Sequence, residues 1–215
     1  MSNTYDMIHI QQTITPFYII LENDKDNKIR QNRNYYETIN KVFCDLLKKY
    51  KKGGVVVDYN KDNCFFALTS HINNFKTFYI NKNQNYNSFV KRSCMINDIR
   101  PFFILNNIGL RNKILKNQKI DFLICNELKD IYLTKRIFNK QFIQNIFILG
   151  NNKIFNKSDY DILLTLIRKG YRFYNNNLKM ISLVEAQELI ESTYESLCCI
   201  HHTSRYFESF IVTFD

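Results

Sequence analysis

Two hydrophobic spacings recur along the chain. Short unbroken apolar runs have the length of buried strands, and longer segments with apolar residues three and four apart have the period of amphipathic helices. Residues 14–22 (ITPFYIILE) read as a first strand, followed by the polar turn NDKDNK and a further short strand before Asn34. Residues 37–50 form the clearest helix. Ile39, Val42, Phe43, Leu46, Leu47 and Tyr50 share one face, with Asn40, Lys41, Asp45, Lys48 and Lys49 on the other. Gly53 and Gly54 end it and release the chain into Val55–Asp58, whose three valines predict a strand buried on both faces.

The alternation then continues. Helices are expected over 63–71, 86–96, 127–139, 159–169 and 184–197, and strands over 76–80, 102–105, 120–125, 143–149, 171–174 and 207–214. Ser158 and Asp161 predict a capped start for the fifth helix, and Gly170 its end. Strands and helices in alternation predict an α/β fold around a mostly parallel, doubly wound sheet. The pattern holds no repeat and no low-complexity linker, so a single compact domain is expected.

Composition changes this picture little. Of 215 residues, 45% are hydrophobic, which supports a folded core. The scarcity of Gly (5) and Pro (2) beside abundant Asn and Lys reads as codon bias. The net charge of +10 admits a polyanionic partner such as RNA, although the lysines are dispersed except around Lys48, Lys49, Lys51 and Lys52. Lys91, Arg92, Arg100 and Arg111, with Tyr79 and Tyr86, are the residues a nucleic-acid surface would use; a solvated charged face is the competing reading. Six cysteines without a CxxC pair sit in apolar runs, which predicts reduced thiols and a cytoplasmic location. No basic-then-apolar leader opens the sequence, and no run reaches the ~20 apolar residues a membrane span needs. The CCIHH stretch (Cys198, Cys199, His201, His202) has poor spacing for zinc and is expected to end a helix, with its cysteines turned inward. Cys64 and His71 lie two helical turns apart, too far to form a nucleophilic pair. Asp121 and Tyr171 are expected to serve structure.

The segments VVVDYNKDNCFF, TFYINKN, DFLICNELK, NIFIL and RKGYRFY follow one another in an order that resembles class I S-adenosylmethionine (SAM)-dependent methyltransferases, and more narrowly the FkbM group. The resemblance runs from about residue 14 to residue 190 and rests on order rather than on any single motif. It implies a Rossmann-like methyltransferase domain over 37–215, with an N-terminal strand extension over 1–36. It further implies a cofactor pocket lined by Asp58, Asn60, Asn81 and Asn126, and Glu127 as the acid nearest an acceptor hydroxyl.

The departures from the family pattern fall at that pocket. Glycines of the first loop align with Asn60 and Cys64, and the acids that end the second and fourth strands align with Asn81 and Asn126. The glutamate and glycine that follow align with Leu128 and Lys129, and Asp58 alone is kept. The expectation is therefore a methyltransferase-fold protein with a degenerate SAM site. It would act as a non-catalytic binding or assembly subunit, partnered by a protein, an active methyltransferase relative among the candidates, or by RNA. The alternative is a divergent FkbM-like O-methyltransferase that uses SAM on a sugar or other hydroxyl acceptor. No metal is expected.

Overall fold

The structure is a computed structural model. It describes residues 5–11, 13–22, 29, 37–50, 54–59, 63–81, 84–104, 119–133, 143–149, 155–191 and 196–202. Its strands are β1 (Tyr5–Ile10), β2 (Phe17–Glu22), β3 (Val55–Tyr59), β4 (Lys76–Tyr79), β5 (Phe103–Ile104), β6 (Phe122–Cys125), β7 (Asn145–Leu149), β8 (Tyr171–Tyr174), β9 (Met180–Ile181) and β10 (Ser196–His201). Its helices are α1 (Glu37–Lys49), α2 (Phe65–Ile72), α3 (Gln84–Ile96), α4 (Leu128–Leu133), α5 (Lys157–Arg168) and α6 (Leu183–Glu191).

Eight strands form one sheet in the order β5-β4-β3-β6-β7-β10-β8-β9. The pairs from β5 through β7 are parallel, while β10 runs antiparallel to both its neighbours and β9 antiparallel to β8. This is the α/β, mostly parallel, doubly wound arrangement expected. The chain builds outward from β3 to β4 and β5, then returns to place β6 on the other side of β3. Strand order reverses between β3 and β6, and ligands of open α/β sheets bind beyond the carboxyl ends of the strands at such a point.

Every residue of β3, β6, β7 and β10 is buried, so the sheet is covered on both faces. Alternate side chains divide between two cores. Val56, Phe122, Ile124 and Phe147 meet α1, α2, α3 and β2 on one face; Val57, Leu123, Ile146 and Ile148 meet α4, α5 and α6 on the other. Phe43 anchors α1 through edge contacts to Phe66 at 5.0 Å, Phe147 at 5.7 Å and Phe122 at 6.0 Å. Its truncation to alanine would cost about 3–5 kcal/mol. Asn40, expected on the polar face of α1, is instead fully buried and accepts the Cys44 thiol at 3.4 Å.

The amino-terminal edge of the sheet is held by polar side chains. Asp121 accepts from the Val55 amide at 2.8 Å, and Asn145 donates to the Tyr50 hydroxyl at 2.5 Å and to the Asp121 carbonyl at 2.9 Å. Gly54 is needed there, because a Cβ would lie 3.0 Å from Phe75 and 3.1 Å from the Asp121 carboxylate. Asp121 therefore stands at the end of the sheet opposite the carboxyl ends of β3 and β6 and staples two strand starts together.

Several expectations need correction. The partner of β2 is β1, which precedes it; the further strand expected after residue 22 falls almost entirely outside the described residues. YDMIHI carries Asp6 and His9 among its apolar residues, so its strand signal is weak. Residues 196–197, expected to finish a helix, open β10 instead. SLCCIH is buried on both faces and so shows no alternation, and a short apolar run of this kind has no period to separate strand from helix. The final strand expected at 207–214 lies outside the described residues, as does the stretch 134–139 of the fourth expected helix. Helix α5 is capped by Asn156, which accepts from Ser158 and Asp159 while Asp159 reaches back to the Asn156 amide. The box expected at Ser158 and Asp161 thus forms two residues earlier.

Candidate functional site

The register of the sheet brings the sequence-predicted positions to one edge. Asp58 pairs with Tyr79 of β4 and Ile124 of β6, and Tyr59 with Cys125. Adjacent strands lie about 4.8 Å apart. Asp58 near the end of β3, Asn81 just past β4, and Asn126 and Glu127 just past β6 therefore flank the reversal of strand order. Asn60 lies outside the described residues.

Asp58 is fully buried. Its neighbours Val57 and Tyr59 face the α4–α6 side, so its carboxylate faces α2. There Oδ2 accepts from the Ala67 amide at 2.9 Å. Helix α2 begins with Cys64 as its N-cap, and that thiol makes no capping bond. Asp58 supplies from β3 the acceptor that Cys64 does not, and a carboxylate at a helix N-terminus is favoured by the helix dipole. Asn63 Oδ1 takes the Phe65 amide at 3.1 Å, and the Cys64 carbonyl takes the Leu68 amide at 2.8 Å. The chain itself thus occupies three amides of the first turn of α2. Cys64 and Phe65 are both buried within the core, Phe65 lying 5.7 Å from Phe17 and 5.4 Å from Phe66.

At the end of β4 the Asn81 side chain is nearly buried, and its Nδ2 donates to the Tyr79 hydroxyl at 2.9 Å. Tyr79 is itself fully buried, edge-on to Phe102 at 6.4 Å. That corrects its place in the expected polyanion surface, since a fully buried ring cannot stack on a base. Lys91, Arg92 and Arg100 are exposed, while the Tyr86 side chain and Arg111 lie outside the described residues.

Beyond β6, Glu127 is half-buried and ion-paired with Lys129. Its amide donates to Asp130 Oδ2 at 3.1 Å, so Asp130 caps the start of α4. The Lys129 contact engages the carboxylate that a general base would present.

The other candidate chemistry resolves into packing. Burial pushes the thiols of Cys44 and Cys94 up to about 11 and raises those of Cys198 and Cys199 as well, so none is poised as a thiolate. His201 is the last residue of β10, and His202 lies in the turn just past it. A ring nitrogen of His201 bonds the Lys169 carbonyl at 2.9 Å, and one of His202 bonds the Gly170 carbonyl at 3.2 Å. Both imidazoles thereby serve the C-terminus of α5, where free carbonyls need donors. The Tyr171 hydroxyl donates to the Ile143 carbonyl and accepts the Ile143 amide at 3.2 Å, so it ties β8 to the start of β7. Among the described residues no group of three potential ligands could hold a metal ion, and no helix is long and apolar enough to cross a membrane.

The sequence matches no family model, and it matches no curated protein. Solved structures do resemble the fold. A protein described as a SAM-dependent methyltransferase from Streptococcus mutans superposes with a TM-score of 0.58 at 8% identity, over 93% of this chain and 56% of that one. A SAM-dependent methyltransferase from Agrobacterium tumefaciens gives 0.54 at 5% identity, over 74% and 56%. A methyltransferase from Geobacter sulfurreducens gives 0.51 at 12% identity, over 82% and 87%. The chain therefore spans little more than half of the Streptococcus mutans protein. At these identities the likeness concerns the fold, and the fold is that of class I SAM-dependent methyltransferases.

At the end of β4 the donor set departs from the one the resemblance implies for SAM. Two ribose hydroxyls call for a carboxylate that accepts both, as the resemblance implies at the end of β4. Asn81 is neutral and has given its amide nitrogen to Tyr79.

Proposed function

We propose that this protein is a methyltransferase-fold subunit with a degenerate SAM site, serving as a binding or assembly component rather than as a catalyst. The observation that carries this reading is Asn81, an amide bonded to a buried tyrosine where a ribose-binding acid is expected. Asp58 is compatible with it, since its carboxylate accepts the Ala67 amide of α2. Partners of such a subunit would be another protein, an active methyltransferase among the options, or RNA drawn by the net charge of +10.

One observation favours a second reading, a divergent FkbM-like O-methyltransferase acting on a hydroxyl group. Asp58, Asn81, Asn126 and Glu127 occupy the ligand end of the sheet, at its reversal of strand order. In that case Glu127 would have to release Lys129 to act as a base.

Calorimetric titration with SAM and with S-adenosylhomocysteine separates the two. The first reading expects no heat of binding at millimolar ligand from protein shown to be folded. Micromolar binding of either compound would reject it and direct work to the hydroxyl acceptor.

A further inference from the structure

We infer that β1 is a self-association edge, through which two copies of this chain join their β1–β2 hairpins into a continuous four-stranded antiparallel sheet. The inference rests on backbone geometry and does not depend on whether the protein binds SAM.

The hairpin is a sheet of its own, separate from the eight-stranded one. Its β2 edge is closed by α3. Ser93 Oγ accepts from the Ile20 amide at 2.9 Å, and Asn97 Oδ1 accepts from the Tyr18 amide at 2.7 Å while its Nδ2 donates to the Tyr18 carbonyl at 2.6 Å. The backbone groups of Tyr18 and Ile20 therefore point away from β1. In an antiparallel pair, directly opposed residues turn their amides the same way, both inward or both outward. Tyr18 is opposed to His9, and Ile20 to Met7. The backbone groups of Met7 and His9 consequently point away from β2, and those of Tyr5 follow by the two-residue period. Among the described residues no strand or side chain takes them.

Natural sheets blunt such an edge with charged side chains, proline or a bulge. The strand YDMIHI has no proline and no bulge, carries Asp6 as its one carboxylate with no lysine or arginine, and pairs with β2 without interruption over six positions. Met7 stands at mid-strand, 57% exposed, beside the half-exposed Tyr18 that stacks on His9 at 4.5 Å.

The occupant follows from the strand's own symmetry. A two-fold axis normal to the sheet keeps one face outward in both copies, so residues of the same parity must meet. With the axis at Met7, Met7 opposes Met7 of the second copy, and Tyr5 opposes His9 in both directions. All three outward-facing residues of each copy are then hydrogen-bonded. Asp6 opposes Ile8, so no like charges face each other. Moving the axis to Asp6 sets two carboxylates directly opposite, which is unfavourable. Moving it to Ile8 sets Tyr5 against Gln11, beyond the end of β1. A single strand pair buries less than a standard interface, so a dissociation constant on the order of 10–100 μM is expected.

Sedimentation of the full chain across that concentration range provides the test. Met7→Pro removes the outward amide, and proline is tolerated where a strand's N–H faces solvent. It should weaken dimerisation at least tenfold and leave the urea midpoint of dilute protein unchanged. As an independent readout, Met7→Cys should oxidise to a disulfide-linked dimer, since opposed Cα atoms at a hydrogen-bonded position lie about 5.5 Å apart, within disulfide reach. His9→Cys should not, because its copies would lie about four residues apart along the sheet. A wild-type chain that stays monomeric at all concentrations, a dimer indifferent to Met7→Pro, or cross-linking at His9 rather than Met7 would each overturn the proposal.

Discussion

Replacing Asp58 separates a structural carboxylate from a cofactor ligand. The side chain is fully buried, and it accepts the Ala67 amide at 2.9 Å in the first turn of a helix whose own N-cap residue makes no capping bond. Asp58→Ala removes a charge-assisted hydrogen bond, worth about 1.5–3 kcal/mol, and leaves a buried amide without its acceptor. Loss of the favourable placement at the helix dipole adds about 0.5 kcal/mol. The expected destabilisation is about 2–4 kcal/mol. Asp58→Asn keeps an acceptor oxygen without the charge and should cost less than half as much. The assay is urea unfolding of ligand-free protein followed by circular dichroism. With a slope of about 1–3 kcal/mol per molar urea, the alanine variant's midpoint should fall by on the order of 1 M. An alanine variant within about 0.5 kcal/mol of wild type, the ordinary range for inert surface changes, would refute the reasoning. Asp58 would then not be anchoring α2, and its presence would again favour a ligand role.

Gly170 sits at φ +90°, and a Cβ there would lie 2.5 Å from His202 Nδ1, so Gly170→Ala should cost about 1–3 kcal/mol in the same unfolding assay. Adding His202→Ala should recover the steric part and leave the backbone strain. Burial, reinforced by the neighbouring His202, holds the His201 imidazole below its ordinary pKa. The folded state therefore favours neutral His201, and its contribution is complete above the unfolded histidine value near 6.5 and is lost as pH falls through the lower folded value. Thermal melts should show stability declining on acidification below about pH 6.5, and His201→Gln, which keeps a donor for the Lys169 carbonyl, should flatten that decline.

Much of the architecture was legible because buried strands and amphipathic helices have different lengths and periods. Val55–Asp58, the helix over 37–50 and the apolar run before Leu149 all lie where the pattern placed them. The failures have a common cause. Strand β10 is buried on both faces, so its sequence has no alternation to distinguish it from a helix end. Strand β1 carries Asp6 and His9 among its apolar residues, which blurs its alternation, and among the described residues its outer edge meets no strand. The strand ends that flank the reversal of strand order were legible as well, since Asp58, Asn81, Asn126 and Glu127 fall at or just past the carboxyl ends of β3, β4 and β6. The pairing of their side chains was not. That Asp58 would reach an α2 amide and Asn81 a tyrosine hydroxyl depends on which sheet face each side chain takes, and neither bond has a sequence spacing of its own. The burial of Tyr79 had the same origin: a tyrosine near basic residues looks like a stacking platform until the parity of its strand turns it inward.

The retained and the altered positions at the crevice differ in what else they hold. Asp58 caps a helix, so its loss would be felt by the fold even in a protein with no ligand. The bonds at the other two strand ends differ in kind: Asn81 donates to a hydroxyl two residues away, and Asp130 accepts from the Glu127 amide at the start of α4. On the proposed reading, a scaffold released from cofactor binding would still keep the carboxylate at the first strand end, where it accepts the α2 amide. That asymmetry matches the pattern in this chain, with one acid kept where it anchors α2 and neutral amides at the other two positions. On the proposed reading, the persistence of Asp58 is no sign of catalysis, and the ligand-free stability of its alanine variant bears on function as directly as an activity assay would.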